Sequence, residues 1–226
     1  MQRERDLIDQ RRRASERAQE QLASMNRQLS QKVEEVESLR AALQQQATRD
    51  FLTGLFNRRY LNDVLPTMWA LARREGQPLT VAVIDLDHFK TVNDRHGHLA
   101  GDRLLVEFGR LLAQRLRRSD VACRYGGEEF CLLLPRSDAR AAQRKLAALL
   151  RHWLAQSFAF DNVVLGGVSF SAGVADSRLV PQSADDLLRT ADQCVLEAKR
   201  LGRSRIVVYE PSPENSRRTA PGSSSM

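Results

Sequence analysis

The sequence lacks the features that mark secreted and membrane-spanning proteins. Among its 226 residues there are three cysteines, Cys123, Cys131 and Cys194, and they form no CxxC pair. Neither a zinc site nor a disulfide framework is therefore indicated. The apolar runs are shorter than the roughly 18 to 20 residues that a membrane-spanning helix needs, and the first residues have no apolar core of the kind found in secretion signals. We expect a cytoplasmic protein with reduced thiols and no membrane insertion.

The chain is also poor in aromatic residues, which make up 6% of it, and it has no aromatic-interleaved signature of RNA binding. The formal net charge is +7, which suits an anionic partner. The arginines, however, are spread along the whole chain instead of forming one basic block. We therefore expect no binding of DNA or RNA, and we keep nucleotide phosphates as the anionic partner.

Glycine and proline are absent from the first 53 residues, which are rich in Gln, Glu, Arg and Ala. This composition favours one long helix, here called the stalk, over residues 1–49. Apolar residues recur along it in a heptad pattern with two seam positions. The first seam position holds Leu22, Leu29, Val36 and Leu43, and the second holds Met25 and Leu39. We expect a parallel dimeric coiled coil.

The seam weakens towards the N-terminus, where Ile8 and Ala18 are its apolar members, and Lys32 interrupts it further along. For residues 1–20, a helix that lies on another protein is therefore an open alternative. No sensory domain precedes the stalk in this sequence, so we expect a separate regulatory protein to bind the N-terminal helix and bias its pairing.

A globular region is expected from Asp50 to residue 210, with helical and strand-like segments in alternation. Helices are predicted over residues 58–75, 99–117, 138–156 and 184–201, the last ending at Gly202. Strands are predicted over 79–86, in a hairpin at 121–134, and over 163–174 and 204–209. The 79–86 run is nearly continuously apolar, as in a central strand buried on both faces. Residues 211–226 lack periodicity and are predicted to be a disordered tail.

Acidic residues stand where predicted strands end or turn. Asp85 lies at the carboxyl end of the 79–86 strand, and Glu128 and Glu129 follow the Gly126-Gly127 turn. Two such strands side by side would bring Asp85 and Glu128 within reach of one ion. A few hard oxygen ligands, with room for water and phosphates, suit Mg²⁺. Solvated turn residues are the alternative interpretation of each acid taken alone.

Cations near these acids suit a phosphate ligand. The segment from Leu86 to Lys90 could wrap backbone N–H groups around a phosphate at a helix start. Lys199 and Arg203 lie four residues apart at the end of the last predicted helix, so they would project from one face. Ordinary surface cations are the alternative.

Asn93 and Asp102 offer atoms that fit the edge of a guanine base. A carboxylate can accept from the N1 and N2 hydrogens of the base, and an amide can address O6 or N3. A helix cap and a turn acid are the alternative roles of these two residues.

Four strings occur in a fixed order within residues 48–210. They are Asp50-Phe51-Leu52-Thr53-Gly54-Leu55-Phe56-Asn57-Arg58-Arg59, Asp85-Leu86-Asp87-His88-Phe89-Lys90 with Asn93-Asp94, Gly97-His98-Leu99-Ala100-Gly101-Asp102, and Gly126-Gly127-Glu128-Glu129-Phe130. Together they closely resemble the motifs of the GGDEF diguanylate cyclases, in the family's order and spacing. The third letter of the last motif is Glu instead of Asp, a common active variant (GGEEF) in that family.

The resemblance implies an α+β fold, with a five-stranded, mostly antiparallel sheet flanked by helices, similar to nucleotidyl cyclase and polymerase palm domains. It implies an enzyme that condenses two GTP molecules into cyclic di-3′,5′-GMP (c-di-GMP) and releases two pyrophosphates. Magnesium is the implied cofactor, with Mn²⁺ as a substitute, and the implied setting is bacterial second-messenger signalling of the biofilm and motility type. Each domain binds one GTP, so we expect a homodimer formed through the coiled coil.

The resemblance also assigns roles to the matching positions. The implied metal ligands are Asp85, Glu128 and the backbone carbonyl of Leu86. The implied catalytic residues are Glu128 and Glu129, either of which is a candidate to activate the ribose 3′-OH, and the triphosphate-binding cations Lys90, Lys199 and Arg203. The implied substrate-binding residues are His88, Phe89, Asn93, His98 and Asp102. Of these, Asn93 and Asp102 read the guanine, and the presence of Asp102 favours GTP over ATP.

Arg117-Arg118-Ser119-Asp120 fits the RxxD inhibitory site of the same family, at which Arg117 and Asp120 bind a guanine of the product. Product feedback inhibition is therefore expected, and a basic helix end followed by a turn acid is the alternative. Two other classes compete with an active cyclase: a catalytically inactive c-di-GMP receptor, and a scaffold that binds through its stalk. The intact motif letters favour the enzyme.

Overall fold

The computed structural model describes residues 22, 25–26, 28–37, 39, 47–160, 163–180 and 182–211. The chain divides into two compact units, Met1–Ala47 and Thr48–Met226. The described residues of the first unit are helical, as the stalk composition predicts, and apolar side chains such as Leu22, Leu29 and Val36 are exposed. The seam residue Leu43, the alternative for residues 1–20 and all but the first residue of the predicted tail lie outside the described residues.

The described residues of the second unit form five helices. They are α1 (Arg58–Glu75), α2 (Phe89–His96), α3 (His98–Arg115), α4 (Ala139–Leu154) and α5 (Ala184–Arg200). Side-chain caps begin three of them: Asn57, Asp138 and Ser183 each accept a hydrogen bond from a backbone N–H in the first turn of α1, α4 and α5. These caps satisfy donors that a helix N-terminus otherwise leaves unpaired.

The strands of the second unit form one mixed sheet and one separate hairpin. They are β1 (Phe56–Asn57), β2 (Leu79–Leu86), β3 (Val121–Arg124), β4 (Glu129–Pro135), β5 (Ser157–Phe160), β6 (Val163–Gly166), β7 (Phe170–Asp176) and β8 (Ile206–Val208). The sheet has the order β1-β3-β4-β2-β7-β8, and β5 pairs with β6 alone. The inner pairs are antiparallel, whereas the edge strands β1 and β8 run parallel to β3 and β7.

Strand β2 occupies the middle of the sheet, and all eight of its residues are buried. Its side chains alternate between two cores, as the two-residue period of a strand requires. Ala82, Ile84 and Leu86 belong to a core that contains residues of α3 and α4. Val81 and Val83 belong to a second core that contains residues of α1 and α5. Helices therefore cover both faces of the sheet. The part of β2 that can contribute to a site is its end, where Asp85 lies.

The predicted α+β architecture, a mixed sheet flanked by helices, is confirmed. The sheet has six strands instead of five, because the two-residue β1 adds to its edge. The single strand predicted over 163–174 is wrong: it is divided into β6 and β7, with Gly167 between them in a left-handed conformation (φ 70°). Within the described part of the chain, no helix is both long and apolar enough to span a membrane.

Candidate active site

The two acidic motifs meet at one edge of the sheet. Asp85, next to the last residue of β2, pairs in register with Glu129, the first residue of β4. Just beyond, the backbone N–H of Leu86 donates to the carbonyl oxygen of Glu128 at 3.2 Å. The adjacency expected from the sequence is therefore present: Asp85, Glu128 and Glu129 lie at the end of the central strand pair.

The turn that carries Glu128 is braced by Arg124, the last residue of β3. Its guanidinium donates to the Gly127 carbonyl from Nε at 3.1 Å and from Nη2 at 2.8 Å. The remaining nitrogen, Nη1, donates to the carboxylate of Asp50 at 3.3 Å. This fork holds the turn from one side. These roles of Arg124 and Asp50 were not predicted from the sequence, because their contacts join segments that lie far apart in the chain.

The three carboxyl groups at this edge have raised pKa values. Burial is the largest cause at Asp85, and there the Lys199 ammonium opposes it. Burial followed by the charge of Asp85 raises the pKa of both Glu128 and Glu129. Asp192 on α5 adds to the increase at Glu129. Asp192 was not predicted as a site residue, although it precedes Lys199 by seven residues and so shares a face of α5 with it.

Lys199, near the end of α5, forms an ion pair with Asp85, with 2.7 Å between Nζ and Oδ2. The helix reaches this position because it packs directly on β7 at Gly173. A Cβ added to Gly173 would lie 2.0 Å from the carbonyl oxygen of Ala191. A predicted phosphate-binding cation is thus brought to the carboxylate edge by a close contact between helix and strand.

The donor set at this edge fits a magnesium ion. Among the described residues, no group of three or more His, Cys, Asp or Glu side chains forms a ready-made metal cage. Asp85 and Glu128, where the charge of the first raises the pKa of the second, are instead hard oxygen donors of the kind that Mg²⁺ binds together with water and phosphate oxygens. With the Leu86 carbonyl they remain the predicted ligands.

The predicted guanine-reading residues lie on neighbouring helices, Asn93 on α2 and Asp102 in the first part of α3. The Asn93 amide oxygen is buried and has no hydrogen-bond partner within the described structure. It rests against Gly101, where an added Cβ would lie 1.9 Å from it. A buried acceptor without a partner is costly unless a ligand supplies the donor, whereas Asp102 is exposed.

The other predicted substrate residues are distributed around α2. His88, Lys90 and His98 are exposed, and His88 has a left-handed backbone (φ 57°) just before the helix. Phe89 is buried in the core that contains α3 residues, so its side chain is held away from a bound substrate and only its backbone can contribute. The aromatic ring of Phe89 packs α2 against the sheet.

The expectation that Lys199 and Arg203 project from one helix face is wrong. Helix α5 ends at Arg200, and Arg203 lies beyond it in a loop. The backbone is left-handed at Gly202, Arg203 and Ser204, so the chain has already turned away from the helix axis. From this loop the charge of Arg203 nevertheless acts on the carboxylate edge, where it lowers the pKa of Asp85.

The predicted inhibitory pair lies beyond α3, in the connection between Arg115 and the start of β3 at Val121. The side chain of Asp120 is buried, and its carboxylate accepts from the backbone N–H of Arg117 at 3.1 Å and from the ammonium of Lys145. Arg117 is exposed and lines a cavity of about 360 Å³, together with Glu75 and Arg136. Arg117 is thus available to a ligand, while Asp120 is engaged by its own chain.

Comparison with known proteins decides the family. A profile described as "Diguanylate cyclase, GGDEF domain" matches residues 47–205. The chain belongs to the GGDEF family. Over 164 residues this GGDEF chain is 40% identical to the diguanylate cyclase DgcP of Pseudomonas aeruginosa, an alignment that covers 73% of the chain and 24% of DgcP. The chain thus spans about a quarter of that relative's length.

Two solved structures extend the similarity beyond the catalytic unit. The coiled coil and GGDEF domain of DgcB from Caulobacter crescentus, in complex with c-di-GMP, matches with a TM-score of 0.74 at 30% identity, covering 82% of this GGDEF chain and 100% of the DgcB chain. The diguanylate cyclase SiaD in complex with its activator SiaC, from Pseudomonas aeruginosa, matches with a TM-score of 0.70 at 35% identity, covering 92% of this chain and 79% of that one.

Proposed function

We propose that the protein is a diguanylate cyclase, which condenses two GTP molecules into c-di-GMP and releases two pyrophosphates. The observation that carries the proposal is the meeting of Asp85, Glu128, Glu129 and Lys199 at one end of the central strand pair. The buried, unpartnered amide oxygen of Asn93 supports a substrate that supplies a hydrogen-bond donor, as the guanine base of GTP does. The described residues at this edge show no distortion that would favour the competing class, an inactive c-di-GMP receptor.

In the proposed reaction, the 3′-hydroxyl oxygen of each GTP forms a bond to the α-phosphorus of the other, and the bond from that phosphorus to pyrophosphate breaks. The hydroxyl proton passes to Glu128 or Glu129, whose raised pKa values bring them closer to the working pH of a general base. Lys90, Lys199 and Arg203 bind the triphosphate and stabilise the charge of the departing pyrophosphate.

Asp85, Glu128 and the Leu86 carbonyl would hold Mg²⁺, or Mn²⁺ in its place. The ion, when bound, neutralises charge on the phosphate oxygens. Lys199 has a second role. Its ammonium forms an ion pair with Asp85 at 2.7 Å, and we propose that it moves to a phosphate oxygen when GTP binds. Asn93 and Asp102 would read the guanine edge, with His88, the Phe89 backbone and His98 nearby. GTP as substrate is consistent with the expected cytoplasmic location.

Two such sites must face each other, so we propose that the stalk pairs two chains as a parallel coiled coil. The exposed apolar residues of the described stalk, including Leu22, Leu29 and Val36, support this pairing. Linking two half-sites raises their effective concentration to roughly millimolar. A regulatory protein that binds the N-terminal helix remains part of the proposal, and it gains support from the likeness to SiaD, whose structure was solved with an activator.

The decisive experiment mixes the purified protein with GTP and Mg²⁺ and analyses the nucleotides by chromatography. We expect c-di-GMP and pyrophosphate from GTP and no corresponding product from ATP. Glu128→Ala should abolish the product while the protein stays folded, whereas Glu107→Ala, at a half-buried position of α3 where the carboxylate pairs with Arg110, should leave the activity unchanged. Absence of cyclic product from the intact protein would overturn the proposal.

Product inhibition at Arg117 and Asp120 is a separate proposal, supported by the exposure of Arg117 beside a cavity. Arg117→Ala should raise the inhibition constant for c-di-GMP by about tenfold or more, because a charge-assisted contact to the product is lost. Initial rates without product should stay unchanged. The neighbouring Arg118→Ala is the matched control, and inhibition that is equal in both variants would show that Arg117 does not bind the product.

A further inference from the structure

Asp87 has no role in the proposed reaction. The residue is only 3% exposed, yet both of its carboxylate oxygens accept hydrogen bonds. Oδ1 accepts from the Ser171 hydroxyl at 2.7 Å. Oδ2 accepts from the Ser169 hydroxyl at 2.6 Å and from the backbone N–H of Ser204 at 3.0 Å. One buried carboxylate therefore joins the end of β2 to the start of β7 and to the loop that follows α5.

That loop has an unfavourable backbone. Gly202, Arg203 and Ser204 have φ angles of 105°, 63° and 50°. Glycine adopts this region readily, but the Cβ atoms of Arg203 and Ser204 make it unfavourable. Such conformations persist where surrounding contacts hold them. Four hydrogen bonds involve these residues. Gly202 N–H donates to the Lys199 carbonyl at 3.3 Å, Arg203 N–H donates to the Ala198 carbonyl at 3.0 Å, and the Arg203 carbonyl accepts from Arg205 Nε at 3.0 Å. Ser204 N–H donates to Asp87, which is the one bond of the four that reaches outside this segment of the chain.

We propose that Asp87 is a positioning residue that holds the loop after α5 and thereby directs Arg203 towards the carboxylate edge. The inference rests on the proposed function, in which Arg203 binds the triphosphate. The hydroxyls of Ser169 and Ser171 hold the carboxylate of Asp87 in turn, so that the Ser204 N–H meets a fixed acceptor. The loop is thereby tied to the strand that carries Asp85.

Hydrogen exchange tests the anchor without reference to catalysis. In Asp87→Asn the charge-assisted bond becomes a weaker neutral one, and in Asp87→Ala the acceptor is lost. We expect the backbone amides of residues 203–205 to exchange about threefold faster in the first variant and faster still in the second. The control is Asp176→Asn, which alters a buried carboxylate that lies at the other end of β7 and binds Arg178. This variant should leave the loop unchanged.

Asp87→Asn carries the test alone if Asp87→Ala does not fold. Loop exchange equal to that of the unaltered protein in Asp87→Asn would overturn the proposal.

Kinetics tests whether the anchor acts through Arg203. Asp87→Asn should raise the KM for GTP several-fold with a smaller change in kcat, and in an Arg203→Ala background it should cause no further rise. Asp176→Asn should leave the KM unchanged in both backgrounds. An equal rise with and without the Arg203 side chain would overturn the positioning role. If Arg203→Ala alone leaves the KM unchanged, the triphosphate role in the proposed function fails, and loop exchange still decides whether Asp87 holds Ser204.

Discussion

Burial raises the pKa values of Asp85, Glu128 and Glu129, and the charge of Asp85 adds to the increase at both glutamates. When the pKa of a carboxyl group is higher in the folded chain than in the unfolded chain, folding binds its proton more tightly. The stabilisation is then fully present below the unfolded pKa and is lost as the pH rises through the folded pKa. At neutral pH the ionised acids therefore lower the free energy of unfolding. The same acids supply the carboxylate oxygens that bind a cation or accept a proton.

Glu128→Gln should stabilise the protein at neutral pH in the absence of nucleotide and Mg²⁺. Removing one of the crowded charges should raise the Tm by about 1–3 °C at pH 7, and the difference should disappear below about pH 4, where the carboxyls are protonated in both states. Calorimetric scans between pH 3.5 and pH 8 would measure it. Glu37→Gln, on the exposed stalk, is the control, and a lower Tm for Glu128→Gln at pH 7 would contradict the electrostatic explanation.

Single residues could be predicted where a local string carries them. Asp85, Glu128 and Asn93 stand in recognisable motifs, so their identities could be selected before their surroundings were known. Asp87 stands in the same string as Asp85, and Arg124 lies two residues before the glycine motif, but their partners Ser204 and Asp50 are 117 and 74 residues away. Their roles arise only when the sheet brings those partners together, which no local pattern encodes.

Among the elements, helices with clear caps were predicted most closely. The bounds of α1 agree with the predicted 58–75, because Asn57 caps its start and Gly76, with a φ of 63°, ends it. The uninterrupted 79–86 run was likewise found as β2. The division between β6 and β7 was missed, since β6 exists through pairing with β5 in a separate hairpin. The path of Arg203 was missed because the chain leaves the helix before that residue.

Gly173→Ala should test how closely α5 packs on the sheet. The new Cβ would meet backbone atoms, the carbonyl oxygen of Ala191 at 2.0 Å and the nitrogen of Val195 at 2.5 Å, so the helix must move. We expect the free energy of unfolding to fall by about 1–3 kcal/mol, measured by urea denaturation, and the KM for GTP to rise as Lys199 shifts.

Gly109→Ala provides the comparison, because its nearest neighbour is the Cβ of Thr53 at 2.9 Å, a side-chain atom. A smaller loss of stability is expected there. If Gly173→Ala and the unaltered protein had the same free energy of unfolding, the helix would be able to move without loss of stability, and the close packing of α5 would be contradicted.

For the whole molecule, the proposed chemistry requires two chains, because one catalytic unit presents one set of Asp85, Glu128 and Lys199. Charges placed on the stalk seam should therefore separate the chains. Leu29→Glu combined with Val36→Glu should lower the dimer fraction and reduce specific activity about tenfold or more at submicromolar protein. Sedimentation velocity and chromatography of the nucleotides would measure the two effects.

Ser30→Glu combined with Gln31→Glu is the matched control, since it adds the same charge away from the seam. We expect it to keep both the mass and the activity of the unaltered protein. If the seam variant also kept its mass and activity, pairing through the stalk would be contradicted.

The strand order determines where a reporter can be fused to the catalytic unit. The chain enters beside β1, where Arg49 bridges to Phe56, and leaves beside β8, where the Tyr209 N–H donates to the Val174 carbonyl. These two strands are opposite edges of the sheet. A fluorescent reporter fused at residue 211 would therefore follow the β8 edge of the sheet and leave the β1 edge, at which Arg49 lies, unaltered.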